Sequence, residues 1–434
     1  MFLLRQQYLE QLIGKMNNSM VKVVTGIRRS GKSYLLFRIF KDYLLSSGTD
    51  ESQIIEIILD DDEFAALRNP LKLGEHIRNR TQDSSRNYFI LIDEIQYCKA
   101  VENPDVPGDT ITFYNVLNGL LRRGNCDLYV TGSNSKMLSS DILTEFRGRG
   151  DQIHVHPLTF CEYYEHVKTG MEFDDAFAEY AMYGGLPRAV LLKTDREKSE
   201  YLKQLFEEVY LKDILQRNKL KNEEGLSELL SVLASSVGSF TNPSKIENTF
   251  KSNGGITYTA KTVLNHLNML KDSFLLSEAK RYDIKGRKYI GANSKYYFID
   301  IGLMNALLNF RQMEMTHLTE NIIYNELIAL GYNVDVGIVE TNEKDSMNKS
   351  LRRQVEVDFV ASLGNRRLYI QSAYSMPDAE KLSQEKRPFK FIGDAFTRII
   401  ITREAVKPHF DDDGVYMLPL RTFLLNPAVL EKIV

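Results

Sequence analysis

The apolar positions of the chain change period several times, and each change predicts an element. In the first sixteen residues, MFLLRQQYLEQLIGKM, the residues Leu9, Leu12, Ile13 and Met16 share one helical face, which predicts an amphipathic helix. MVKVVT at 20–25 is a short β-rich run, and 34-YLLFRIF-40 returns to a helical period. The apolar run 88-YFILIDEIQ-96 reads as a strand buried on both faces of a parallel sheet, and 54-IIEIILD-60 and 127-DLYVTGSN-134 read as two more strands. Residues 199–218 form a long helical pattern without glycine or proline. Three helical patterns follow, at 226–238, from Asn242-Pro243 to about 254, and from 257 through Phe274. The β-rich pieces 274-FLLSEAKRY-282 and 288-KYIGANSKYYFID-300 then predict a hairpin, and three helices with a hairpin describe a winged helix. A last region has a helical stretch, 320-ENIIYNELIALGYN-333, then strands ending at Val336, over 355–363 and 368-LYIQSAY-374. A polar helical stretch at 375–394 and a strand, 396-FTRIIITRE-404, complete it.

Composition narrows the class. The 434 residues allow roughly two to four domains. A net charge of -3 argues against bulk electrostatic binding of nucleic acid, and leaves only a local basic patch for that purpose. Cys98, Cys126 and Cys161 form no CxxC pair, which argues against a disulfide framework or a zinc site and fits a reducing cytoplasm. The chain has no run of about eighteen uncharged apolar residues, so no membrane span is expected.

Between the first strand and its helix lies 26-GIRRSGKS-33, a G-x-x-x-x-G-K-[ST] phosphate loop. Gly26 and Gly31 allow the backbone N–H groups of Ile27, Arg28, Arg29 and Ser30 to turn onto phosphates at a positive helix N-terminus that continues into Tyr34. Lys32 is the residue to reach the β- and γ-phosphates, and the Ser33 hydroxyl ligates magnesium. The third strand ends in Asp93-Glu94, at the carboxyl end where ligands bind in open α/β sheets. Asp93 is then the second magnesium ligand, and Glu94 the general base that polarises the attacking water. Ser133 and Asn134 end the next strand, either to orient that water, with Ser133 preferred, or to cap a helix. Arg147 and Arg149, beside glycines in FRGRG, are candidate arginine fingers.

GIRRSGKS, LIDEIQ, TGSNSKML, FRGRGDQIHVHPLTFCEY and 183-YGGLP-187 occur in this order, and with them the whole chain resembles a bacterial and archaeal family. These are AAA-type ATPases of the STAND-like branch with a C-terminal domain of unknown function. The resemblance implies a P-loop core with a helical lid, and ATP and magnesium as ligand and cofactor. It implies Arg149 as the preferred finger, either within its own chain or from a neighbour in a homo-oligomer, and Gly184-Gly185 as a marker of the lid near the nucleotide. It also implies that the C-terminal domain resembles PD-(D/E)xK nucleases. Asp358 and Glu320 match metal-ligating positions of that fold, and Glu356 lies beside them, but Gln371 and Ala373 stand where an acid and a lysine belong.

The expected architecture is therefore multidomain α/β: a P-loop parallel-sheet ATPase core at 1–155, a helical lid and connector at 156–220, a winged helix at 221–300, and a PD-(D/E)xK-like α/β domain at 301–434, read as inactive. On the third helix Tyr258, Lys261, Thr262, Asn265, His266, Asn268 and Lys271 are expected to face outward. With Lys280, Arg281, Lys285, Arg287, Lys288 and Lys295 of the hairpin they make a local basic surface for DNA. The leading function is an ATPase that couples nucleotide state to nucleic-acid or protein engagement. The alternatives are an ATP-gated signalling or defence switch working through protein contacts alone, and an ATP-dependent endonuclease.

Overall fold

The computed structural model describes all residues except 1–2, 133–144, 147, 213, 216–222, 253–257, 312–313, 345–349, 405–406 and 434. The chain divides into two compact units, Met1–Pro157 with Asp272–Phe274, and Leu158–Lys271 with Leu275–Val434.

In the first unit, β1 (Val21–Thr25), β2 (Ile54–Ile58), β3 (Tyr88–Asp93), β4 (Cys126–Gly132) and β5 (Gly150–His154) form a parallel sheet in the order β2-β3-β4-β1-β5. Every residue of β1, β3 and β4 is buried, which explains their unbroken apolar runs: both faces are covered. On one face Val23, Ile57, Ile92 and Val130 pack with Leu73 and Ile77 of α3 (Pro70–Arg80) and Leu117 and Leu120 of α4 (Phe113–Leu121). On the other, Val24, Leu91, Tyr129 and Ile153 pack with Tyr8 and Leu12 of α1 (Gln6–Gly14) and with Leu36, Phe40 and Leu44 of α2 (residues 32–46). The middle of α2, Leu35–Phe40, winds as a π-helix. A buried ion pair also lies in this sheet. Lys22 of β1 is buried against Asp127 of β4, whose other oxygen accepts from the Tyr129 hydroxyl at 2.8 Å.

The second unit opens with α5 (Phe160–Val167), α6 (Phe173–Tyr183), α7 (Pro187–Leu191) and α8 (Asp195–Gln204). The three helices expected next are α9 (Glu223–Ser235), α10 (Pro243–Ser252) and α11 (Ala260–Asp272), followed by the hairpin β6 (Leu276–Asp283) and β7 (Lys288–Phe298). Beyond them come α12 (Ile301–Leu307), α13 (Met315–Ala329), β8 (Asn333–Lys344), β9 (Ser350–Leu363), β10 (Arg366–Ala373), α14 (Ala379–Lys386), β11 (Thr397–Thr402), β12 (His409–Phe410) and β13 (Tyr416–Pro419).

Here the structure departs from the expected division at 300. The hairpin does not stand alone as a wing: β6 pairs in parallel with β8, giving one mixed sheet ordered β12-β13-β11-β10-β9-β8-β6-β7. Backbone pairing of Val336, Gly337 and Ile338 with Arg281, Tyr282 and Asp283 satisfies the edge that a free hairpin would expose. The helices after Pro157 belong to the same unit. Thr159 caps α5 through a box with Glu162, and the Phe160 N–H donates to Glu326 of α13 at 2.7 Å. The glycines of YGGLP are explained by close approach. A Cβ on Gly184 would lie 2.5 Å from the Asp300 carboxylate, and one on Gly185 would lie 2.2 Å from the Leu158 carbonyl oxygen. Gly185 N–H donates to Asp300 at 2.9 Å.

Candidate functional site

The phosphate loop forms at the carboxyl end of β1. Gly26 takes φ 141°, and any Cβ there would meet the Val155 carbonyl oxygen at 2.1 Å, so only glycine fits. Arg29 and Gly31 also have positive φ, 65° and 94°, which turns the loop before α2 begins. Lys32 is buried, and its ammonium donates to the Gly26 and Ile27 carbonyls at 3.0 Å each. Ser30 is fully buried and its hydroxyl has no hydrogen-bond partner among the described residues. A loop that buries a lysine and an orphaned hydroxyl fits the oxygens of a phosphate group.

Asp93 ends β3 and comes together with this loop. Burial pushes its carboxyl above the usual range, while hydrogen bonds from Thr131 and Ser33 pull it back. Ser33 itself is exposed, so its hydroxyl and the Asp93 carboxylate present the hard oxygen donors that magnesium takes. Glu94 adopts a left-handed conformation, φ 51°, pinned by its N–H donating to Thr131 Oγ1 at 2.9 Å. Its carboxylate accepts from the Gln96 side-chain amide. Thr131 and Gln96 therefore orient both acids, and neither was expected to do so; Thr131 lies in the TGSN run, two residues before Ser133. A third unexpected neighbour is His154 at the end of β5. Burial and the nearby Lys32 charge lower its pKa to about 4, so it is neutral.

Two candidate catalytic residues fare differently. Ser133, with Asn134 and Arg147, lies outside the described residues. Arg149 is exposed, and its carbonyl accepts from the Val21 N–H at 2.8 Å, which fixes it at the amino end of β1. The phosphate loop leaves the carboxyl end of that five-residue strand, roughly 16 Å away at strand rise. Within one chain, the expected finger is on the wrong edge of the sheet.

In the second unit Glu320, Glu356, Asp358 and Gln371 do meet, around a cation expected on the outward basic face. Lys295 of β7 is buried, not part of an outward basic face. Its ammonium lies 2.9 Å from Glu320 and 2.6 Å from Glu356. Tyr297 also donates to Glu320, at 2.7 Å. Opposite Val336 the β8–β9 register slips by one residue at Asp358–Phe359, a bulge that leaves the Asp358 N–H off the ladder. Gln371 takes that N–H at 2.7 Å and passes its own amide hydrogen to Glu385 at 3.1 Å. The Ser372 N–H donates to Asp358 at 2.8 Å. Burial, then the Glu320 charge, pushes the Asp358 carboxyl up to about 8. Ala373 is buried in the apolar core with Val357, Tyr369, Phe389 and Ile400, where a lysine would have no room. Tyr258 and His266 are also corrected: both are buried, His266 on the inner face of α11 and Tyr258 just before that helix, and they are hydrogen-bonded to each other at 2.6 Å. Lys261, Asn265 and Asn268 of that helix, and Lys280, Lys285, Arg287 and Lys288 of the hairpin, are exposed. Among the described residues, no helix is long and apolar enough to cross a membrane.

Comparisons with known proteins agree with the first unit. Residues 18–164 match a family described as an AAA domain, and residues 174–314 match a domain of unknown function (DUF8612). The crystal structure of Cdc6p from Pyrobaculum aerophilum aligns at 13% identity and a TM-score of 0.31, over 74% of this chain and 96% of that one. Uncharacterized protein MJ1544 of Methanocaldococcus jannaschii is 27% identical over 388 residues, 86% of this chain and 79% of its own. An uncharacterized protein of Haemophilus influenzae is 30% identical over 425 residues, which take in 97% of this chain and 98% of that protein. With the phosphate loop, the Asp93-Glu94 strand end and near-complete coverage of that relative, this chain belongs to the family of AAA-domain proteins that includes the Haemophilus influenzae protein.

Proposed function

We propose that the protein is an ATPase whose nucleotide state is reported through its second unit to a nucleic-acid or protein partner. The observation that carries this reading is the meeting of Lys32 and Ser33 with Asp93 and Glu94 at one edge of a buried parallel sheet. Bound magnesium would supply charge neutralisation at the β- and γ-phosphate oxygens, with Ser33 and Asp93 holding it. The backbone N–H groups from Ile27 to Ser30 cradle the phosphates. Lys32 exchanges its loop carbonyls for phosphate oxygens, and Tyr34 continues the helix that the phosphates cap. Glu94, released from Gln96, polarises water toward the γ-phosphorus, and Ser133 is the proposed partner for that water.

Arg149 acts in this reading from a second copy, because its own phosphate loop lies at the opposite edge of the sheet. The experiment is a mixing assay of phosphate release. Lys32→Ala and Arg149→Ala chains are each expected to be inactive alone, the second losing about 10³-fold. Mixed, they are expected to regain turnover at sites that pair an intact loop with an intact arginine. Undiminished release by Lys32→Ala would remove the ATPase assignment, and no recovery on mixing would remove the trans arginine.

For the second unit, the succession α13, β8-β9-β10, α14, β11 supports a PD-(D/E)xK-like fold kept for binding rather than cleavage. The exposed cations of the α11–hairpin face support DNA as the partner, and a salt-dependent duplex affinity that falls on replacing Lys285, Arg287 and Lys288 by glutamine is the corresponding sign.

A further inference from the structure

The cluster around Lys295 gathers carboxylates at a nuclease-like position, yet among the described residues no group of three or more His, Cys, Asp or Glu side chains is placed to hold a metal ion, and its charge arrangement does not need one. Three carboxylates, from α13 (Glu320) and β9 (Glu356 and Asp358), converge where the nuclease fold would gather a divalent ion. Bringing them together without a cation is prohibitive, since each pair repels at short range in a medium that screens weakly. The cation present is covalently part of the chain. Lys295 reaches in from β7, which pairs with β6 opposite Ala279, and its ammonium touches two of the carboxylates while the Phe240 ring lies 5.7 Å away.

We propose that the Lys295 ammonium is the permanent cation of this cluster, standing in the place of a divalent metal and making the domain independent of one. The stoichiometry of charge supports it. The Lys295 ammonium lies 2.9 Å from Glu320 and 2.6 Å from Glu356, so one fixed positive charge serves two of the three carboxylates by direct contact. The hydrogen bonds are consistent as well. Asp358 spends one oxygen on Ser372 N–H, and Glu320 Oε1 is shared between Lys295 and Tyr297. An ammonium is satisfied by about three acceptors, whereas magnesium or calcium demands six or more oxygens at fixed distances. Gln371 belongs to the same arrangement. As a neutral amide it holds the Asp358 bulge and adds no fourth charge that a single lysine would fail to balance. The inference goes beyond the ATPase reading and is independent of it, since phosphate release is not part of its test.

The test is a manganese titration of the full chain without nucleotide, by calorimetry and by thermal shift. Wild type and Asp358→Asn are expected to titrate alike, because the cluster takes no metal. Lys295→Ala is expected to gain a site at least about tenfold tighter, as removal of a neighbouring positive charge implies, and adding Asp358→Asn is expected to abolish the gain. Manganese binding by wild type that disappears in Asp358→Asn would overturn the proposal, and so would a Lys295→Ala chain that gains nothing. If Lys295→Ala does not fold without metal, recovery of its melting transition in millimolar MnCl2 is the expected result. Absence of recovery with any divalent ion would count against the exchange of ammonium for metal.

Discussion

Gln371 is the residue whose meaning changes most between sequence and structure. In the strand 368-LYIQSAY-374 it is a missing acid; in the fold it is the acceptor for the Asp358 N–H at a bulge and the donor to Glu385. Gln371→Glu restores the motif and removes that donor, so two carboxylates would face each other in a buried site. It is expected to destabilise the chain by about 1–3 kcal/mol, read as a lower melting temperature; an unchanged or higher one would refute the role assigned to Gln371. Lys295 shows the complementary limit. Its partners Glu320 and Glu356 lie twenty-five and sixty-one positions away, and no local period in the sequence points a hairpin lysine inward. Gly26, Gly31, Lys32 and Asp93 were legible because their chemistry is local: a loop of eight residues and the end of one strand contain it.

At the scale of elements, apolar runs foretold four of the five strands of the first sheet, since a strand covered on both faces has no polar alternation to confuse it; β5, only partly buried and with Asp151 and Gln152 in its run, gave no such signal. They did not foretell the buried pair Lys22–Asp127, which sits in those runs and joins β1 to β4. Burial lowers the Lys22 pKa and the Asp127 charge works against that shift. Removing the partner strands an ammonium inside the sheet, so Asp127→Ala is expected to cost about 3–5 kcal/mol in chemical denaturation, more than an apolar truncation of similar size. A loss below 1 kcal/mol, the range of about 0–1 kcal/mol typical of surface pairs, would mean that the pair is not buried in solution. The hairpin after α11 was also legible as a hairpin, in strand content and turn. Its pairing with β8 was not, because the partner strand lies fifty residues on and the backbone groups that pair carry no side-chain signature.

At the scale of the molecule, buried acids give the chain an asymmetric response to pH. Glu326, fully buried on α13, accepts the Phe160 N–H. Burial first, and Glu162 second, push its carboxyl up to about 8, despite that hydrogen bond. Asp300 is raised to about 6 by burial, against several backbone N–H donors. Both pKa values lie above those of an unfolded chain, so the native state binds more protons. This contribution is complete below the unfolded value and is lost as pH rises through the native one. His154, with its pKa lowered to about 4, acts only on the acid side. Stability is therefore expected to fall between about pH 6.5 and about pH 9, with Glu326→Gln flattening the decline, as followed by urea midpoints. A midpoint that rises across that interval would contradict the burial of Glu326.

By itself the sequence determined the phosphate loop, the acidic strand end and the succession of strands and helices. Each of these depends on neighbours within a few residues or on a simple period. Only the tertiary structure decided which charges are compensated, which edge of the sheet carries Arg149, and where the hairpin of β6 and β7 belongs. Those outcomes depend on long-range pairing and on the desolvation of groups brought together from distant segments, and a linear pattern encodes neither.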